Sequence, residues 1–293
     1  MNPELPPQEE QQENLAESYI NPEVIDLNTL EILLKEGEVQ NIRPIEEHRQ
    51  QVPPHADRVL LGDMNSHADQ LFEGEIPVPE SPKKLLVVYK PESGINHGTA
   101  RGKEIPLPKE SSPYENKEIA AWIVAKNLNL KYLSFPATKR ELKEGEGSVR
   151  PYIWGEPLEL LSEEDTEAAE SNREILEDIA LYDYLIQNID RSPSNLIWNK
   201  DSGSLKVIDH SLTFFSEEYV ERWHIKGPRL KIAYDTNERL KAIPLPNRLL
   251  EKIEQFQANK PEIRQNLSEL LTEREINGIF KRTEKLVERK IFL

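Results

Sequence analysis

The chain has 293 residues, 37 Lys and Arg against 53 Asp and Glu, a formal charge of −16 and no cysteine. That length suits one large domain or two lobes around a real core. The lack of cysteine excludes a disulfide scaffold, a thiolate metal site, an iron–sulfur cluster and a cysteine nucleophile. No run approaches the roughly 18 apolar residues of a membrane helix, and the acidic, proline-bearing start MNPELPPQEEQQEN is unlike a signal or transit peptide, so a cytoplasmic protein is expected. Residues 1–80 hold 18 acidic and 4 basic side chains, residues 81–216 come to −5 and 217–293 to +3. Nucleic acid and an anionic membrane surface are disfavoured as partners. The basic run Lys281, Arg282, Lys285, Arg289 and Lys290 reads as the solvated face of a terminal helix.

In chain order, residues 1–27 read as an acidic, Pro- and Gln-rich disordered tail, and removing residues 1–20 is expected to leave the fold unchanged. LNTLEILLKEGEVQ (27–40) predicts a short helix broken at Gly37. RVLLGD (58–63), QLFEGEI (70–76) and KLLVVYK (84–90) predict strands, the last with the unbroken apolar run of a central strand. Ser112 before Pro113 predicts a helix start, and Ile119, Trp122 and Ile123 continue it at helical spacing. Phe135–Thr138 and GSVRPYIW (147–154) predict two more strands, and 155–168 a polar crossover with a short helix. Ile175, Ile179, Tyr182, Leu185 and Ile186 form a helical stripe ending near Asn188. A loop, a strand, the turn Asp201–Gly203 and a second strand follow. Residues 246–293 read as helical, with a capping box at Thr272 and Glu275. The expected architecture is α+β and two-lobed: a strand-rich N-lobe and hinge over 28–157 and a helical C-lobe over 158–293, with a ligand cleft between them.

The hairpin carries the chemistry. Asp190 and Asn195 lie five positions apart in IDRSPSN, and Asp209 follows Asn195 by fourteen residues at the end of an apolar strand. Pairing through the Asp201–Gly203 turn brings Asn195 and Asp209 to one end. A carboxylate and a carboxamide meeting there suit Mg²⁺, which takes hard oxygen ligands and completes its shell with phosphate and water. Asp190 is then free to accept or orient the proton of an attacking hydroxyl. Lys90, at the end of KLLVVYK, can reach from sheet to cleft as the cation for phosphates, and Glu118 can hold it by an ion pair.

YDYLIQNIDRSPSNLIW followed by LKVIDHSLTF resembles the catalytic and metal-binding segments of atypical kinases related to phosphatidylinositol 3-/4-kinases, in particular type II phosphatidylinositol 4-kinases and HipA-type kinases. VVYKP (87–91) resembles their ATP-lysine strand, NKEIAAW the helix bearing the partner Glu, and GEGSVRPYI (145–153) the strand entering the hinge. LLKEGEV and the C-terminal LSELLTEREINGIFKRTEKLVERKIF are similar to a narrower group of bacterial phosphatidylinositol-kinase-like proteins. The resemblance spans about 28–293. It implies a protein-kinase-like fold with ATP and Mg²⁺ (Mn²⁺ as the alternative ion) as cofactors. It also implies Lys90 on the α- and β-phosphates, Glu118 as its partner, Asp190 as catalytic base, and Asn195 and Asp209 as metal ligands. Arg191 is expected to pair with a nearby carboxylate and hold the loop, and Asp183 to brace it. Hinge-side residues from Arg150 onward, with Tyr152, Ile153 and Trp154, are expected to line the adenine pocket, one face of the strand reaching the nucleotide.

The chain departs from the pattern in two places. No GxGxxG is present, so Asn65-Ser66-His67 is the candidate phosphate-covering turn, with Ser66 and His67 as nucleotide contacts. Ser211 stands where the family often has glycine, and His210 is expected to be structural. The leading expectation is γ-phosphoryl transfer to a hydroxyl on a protein, by Ser/Thr phosphorylation or autophosphorylation. The alternatives are a lipid or small-molecule kinase, a nucleotidyl transferase (AMPylation) on the same fold, and a non-catalytic pseudokinase scaffold.

Overall fold

The structure is a computed structural model, and it describes residues 18–44, 72–91, 97–100, 103–106, 108, 110–222 and 244–291. The expected strand at 58–63 and the turn with Ser66 and His67 lie outside these residues, as does most of the expected tail.

Helix α1 (Leu27–Glu36) starts where the Asp26 carboxylate accepts the backbone N–H groups of Asn28 and Thr29. Its buried Leu30, Leu33 and Leu34 fall on one face and pack on a five-stranded antiparallel sheet. The strands are β1 (Gln40–Pro44), β2 (Phe72–Pro77), β3 (Lys84–Pro91), β6 (Thr138–Leu142) and β7 (Gly145–Pro151), in the order β1-β2-β3-β7-β6. β3 is central, and its run from Leu85 to Lys90 is buried, as its unbroken apolar pattern predicts. A separate hairpin, β4 (His97–Ala100) with β5 (Lys103–Pro106), follows β3. Glu75 on β2 accepts from Tyr19 Oη (2.5 Å), Asn41 Nδ2 (2.5 Å) and Lys84 Nζ (2.6 Å), so part of the N-terminal acidity is built into the sheet.

Three expected boundaries move. The disordered tail does not extend to residue 27. Tyr19 pairs with Lys84, Ile20 N–H donates to Lys84 O (2.9 Å), and Asn21 caps the turn Pro22–Val24. Apolar Ile20 and Ile25 pack against the sheet core, a gain that the Pro, Gln and Glu composition upstream hides. The strand expected at Phe135–Thr138 starts at Thr138, and the one expected over 147–154 ends at Pro151, where the proline lacks a ladder donor. Helix α2 (Tyr114–Asn127) is preceded by Pro113 with no side-chain cap, because the Ser112 oxygen accepts Thr272 N–H (3.1 Å) while its hydroxyl donates to Glu275 (2.5 Å).

The connection 152–155 leads to β8 (Glu156–Pro157), which joins β9 (Leu196–Asn199) and β10 (Ser204–Val207) in a small sheet. Gly155 (φ +141°) approaches so closely that a Cβ there would lie 2.4 Å from Trp198 O. Helices α3 (Glu163–Ser171), α4 (Arg173–Ile186), α5 (Glu217–Arg222), α6 (Asn247–Ala258), α7 (Lys260–Leu267) and α8 (Glu273–Arg289) complete the described chain. The capping box at the start of α8 forms as its sequence predicts. Ala120, Ala121, Val124 and Ala125 of α2 join the core made by α4, α6, α7 and α8. The architecture is α+β, a strand-rich N-terminal part beside a helical C-terminal part. The C-terminal basic run is not all solvated: Arg282 is buried and donates twice to Leu185 O, and Lys285 pairs with Glu217 (2.7 Å).

Removing residues 1–20 should lower the melting temperature by roughly 2–4 °C relative to removing 1–17, since the Tyr19 and Ile20 hydrogen bonds contribute about 1 kcal/mol. Matched thermal melts of the two truncations check this.

Candidate functional site

The site begins at the end of α4. Gln187 turns left-handed (φ 51°), and Asn188 folds back, its N–H on Asp183 O (2.9 Å) and its side-chain amide on Asp183 Oδ1 (3.3 Å). Asn188 Oδ1 in turn accepts the N–H of Asp190 (2.9 Å), which orients the backbone of that residue. Arg191 points inward, 1 % exposed. Its Nε and Nη2 grip both oxygens of Asp183 (3.0 Å each), while Nη1 donates to the carbonyls of Asn195 (3.1 Å) and Ile208 (2.5 Å). Burial works against the charge, but Asp183 more than offsets this and holds the guanidinium above its ordinary range. One side chain thus fastens α4, the loop and the end of β10, the bracing expected of Arg191 and Asp183.

Asn195 ends the turn Pro193–Asn195 and is buried. Its Nδ2 donates to Asp190 O (3.2 Å), which leaves Oδ1 as the oxygen for a cation. Leu196 pairs with Val207 and Ile208 N–H donates to Asn195 O (3.1 Å), so Asn195 and the residues after β10 lie side by side. Asp209 follows in the left-handed region (φ 53°), its Oδ1 accepting Ser211 Oγ (2.5 Å) and Ser211 N–H (3.2 Å). Asp tolerates that conformation better than most residues. Ser211 here secures the carboxylate, a hydroxyl contact that glycine lacks.

Across the cleft, Lys90 is 7 % exposed on β3, with its Nζ 5.8 Å from the Tyr114 ring centre. Glu118 on α2 is also buried. Its Oε1 accepts His210 N–H (2.8 Å) and its Oε2 faces His210 Nδ1 (3.0 Å). Burial pushes the Glu118 carboxyl up and Asp209 adds to that, but His210 and Lys90 hold it below its usual range. The structure therefore brings Lys90, Glu118 and Asp209 within electrostatic reach of one another, with His210 as the direct partner of Glu118. The expectation that His210 is structural missed this pairing, whose signal was the imidazole directly following Asp209.

At the connection between the parts, Tyr152 N–H donates to Leu86 O (2.9 Å). Ile153 is buried and lines a small cavity with Phe135, Arg150, Ile208, Glu118 and His210. Tyr152 and Trp154 pack edge to face (5.9 Å, 86°) and do not line that cavity. Among the described residues no group of three His, Asp or Glu forms a self-sufficient metal site. Asn195 and Asp209 offer two oxygen ligands, which fits an ion that completes its shell with nucleotide phosphates and water.

Lys117, next to Glu118, went unnoticed in the sequence because charges in a first helical turn ordinarily face solvent. It is fully buried, 4.3 Å from the Phe215 ring centre and 3.9 Å from Glu275 Oε1. Its ammonium makes no hydrogen bond among the described residues, and burial pushes it down from 10.5 to about 8 against the pull of Glu275.

Replacing Arg191 with Ala leaves the Asp183 charge buried and should cost about 3–5 kcal/mol by denaturant titration. Lys117→Met should raise stability, because Glu275 keeps its bonds from Ser111, Ser112 and Thr272. The Lys117 penalty is complete below pH 8. It fades as pH rises toward 10.5, where the unfolded chain holds the extra proton. The melting-temperature gap between variant and wild type should therefore be widest near pH 7 and narrow by pH 9.5.

Residues 158–290, a little under half of the chain, match the model of the HipA-like kinase family. The matched stretch holds Asp190, Asn195 and Asp209, while Lys90 and Glu118 lie before it. No curated protein matches the sequence. Among solved structures the chain is similar to the Helicobacter pylori proinflammatory kinase CtkA, at 12 % identity and a TM-score of 0.42, over 75 % of this chain and 88 % of that one.

Proposed function

We propose that the chain is an ATP- and Mg²⁺-dependent phosphotransferase that acts on a hydroxyl of a protein, either a substrate Ser or Thr or its own. The observation that carries this reading is the convergence of Asp190, Asn195 and Asp209 on a loop and hairpin fastened by Arg191, with Lys90 and Glu118 facing them. The match of residues 158–290 to HipA-like kinases supports it.

In this reading each residue has one task. When bound, ATP with its metal supplies the transferable γ-phosphoryl group. Lys90 neutralises phosphate charge from the sheet side, buried enough for its charge to act at low local dielectric. Asn195 Oδ1 and the Asp209 carboxylate hold the cation. Asp190 orients the acceptor hydroxyl and accepts its proton, its backbone fixed by Asn188. Ile153 packs on the base from the connection. Ser66 and His67 are proposed to cover the phosphates. A protein acceptor is favoured over a lipid because part of the basic C-terminal run is committed to internal contacts and is not left to meet an anionic bilayer.

The purified chain, incubated with Mg²⁺ and ATP labelled at the α or γ position, should acquire protein-bound γ label. Asp190→Ala and Asp209→Ala should each lower the rate on the order of 10²–10⁴-fold. Protein-bound α label would reassign the chain to nucleotidyl transfer, and an absence of metal-dependent ATP binding would leave a scaffold.

A further inference from the structure

His210 immediately follows the proposed metal ligand Asp209 and is held at three points. Its N–H donates to Glu118 Oε1, its Nδ1 meets Glu118 Oε2, and its carbonyl accepts Thr213 Oγ1 (2.5 Å). The ring lies edge-on to Tyr182 (5.5 Å, 73°), and the hydroxyl of Tyr182 ties α4 to α2 through Ala121 O (2.9 Å). A carboxylate can only accept, so Nδ1 carries the hydrogen. The other ring nitrogen, Nε2, is buried with no hydrogen-bond partner among the described residues. The polar work of the imidazole is therefore done entirely by Nδ1. Asp209 sits in the left-handed conformation that Asp tolerates better than most residues, and its neighbours hold it there. Ser211 secures its carboxylate, and Glu118 secures the residue after it.

We propose that His210 is a positioning residue: through Nδ1 it clamps the Asp209 turn to Glu118 on α2, so that a single carboxylate aligns both the metal-binding turn and the phosphate-binding Lys90. The proposal rests on reading Asp209 as a metal ligand. It separates the role of the donor nitrogen from that of the ring's bulk. Asn places an amide nitrogen about where Nδ1 stands, whereas Gln reaches toward the Nε2 side and Ala reaches neither.

The test uses the full chain, Mn²⁺ as the probe ion with a non-hydrolysable ATP analogue, and hydrogen–deuterium exchange over 208–214 without ligand. His210→Ala and His210→Gln should weaken analogue-dependent Mn²⁺ binding by about 10–100-fold and speed exchange in the turn. His210→Asn should restore both to within about threefold of wild type. Ala and Gln variants that bind Mn²⁺ and exchange like wild type overturn the proposal. So does an Asn variant as weak as Ala. A wild-type chain that binds no Mn²⁺ with the analogue, and is matched by Asp209→Ala, overturns the functional reading instead. The exchange comparison then still decides whether Nδ1 pins the turn.

Discussion

A guanidinium cut off from water organises the centre of this molecule. Burying Arg191 is unfavourable by itself, and the cost is offset only because both oxygens of Asp183 and two backbone carbonyls meet it at hydrogen-bonding distance. Those four acceptors come from a helix, a loop and a strand end, so satisfying one charge fixes three segments relative to one another. The positions of Asn195 and Asp209 follow from that fastening. Glu118 repeats the device across the cleft, with a buried carboxylate whose acceptors are met by the backbone and ring of His210.

The parts of the fold legible in the sequence are those whose signals are local. Thr272 and Glu275 cap a helix where their spacing says they should, and the turn Asp201–Gly203 places Asn195 beside the end of β10. The bracing roles expected of Asp183 and Arg191 come from the family resemblance, and their pairing with each other, across eight residues of helix end and loop, is what the fold adds. The missed features depend on contacts between distant segments. Ser112 looks like a helix cap, but its oxygen accepts the N–H of Thr272, 160 residues later, and its hydroxyl donates to Glu275. Lys117 looks solvated until α8 and Phe215 close over it. Tyr19 and Ile20 fall within the expected tail, but they gain their partners from β2 and β3, which composition upstream does not reveal.

The charge imbalance also reads differently in three dimensions. Glu73 and Glu75 are buried on β2, where Arg43, Lys84, Tyr19 and Asn41 engage them. Some of the acidic excess of the first 80 residues is thus a structural element of the sheet. At the other end, Arg282 gives up solvent to meet the carbonyl of Leu185 near the C-terminus of α4, where a cation complements the helix dipole.

Helix α2 comes before the connection at 152–155 in the chain and is bonded to elements on both sides of it, with Trp122 Nε1 and Lys126 Nζ donating to Glu31 on α1 (3.1 and 2.7 Å). Its alanine face is part of the helical core, and its first turn is moored to α8 through Ser112 and Glu275. The sheet that carries Lys90 has no comparable mooring to α8 among the described hydrogen bonds. Glu118 thus stands on a helix held from both parts, while Lys90 belongs to the sheet. A change in the angle between sheet and helical core would have to strain either the Glu31 bonds or the Ser112–Glu275 bond, which makes α2 a brace between them.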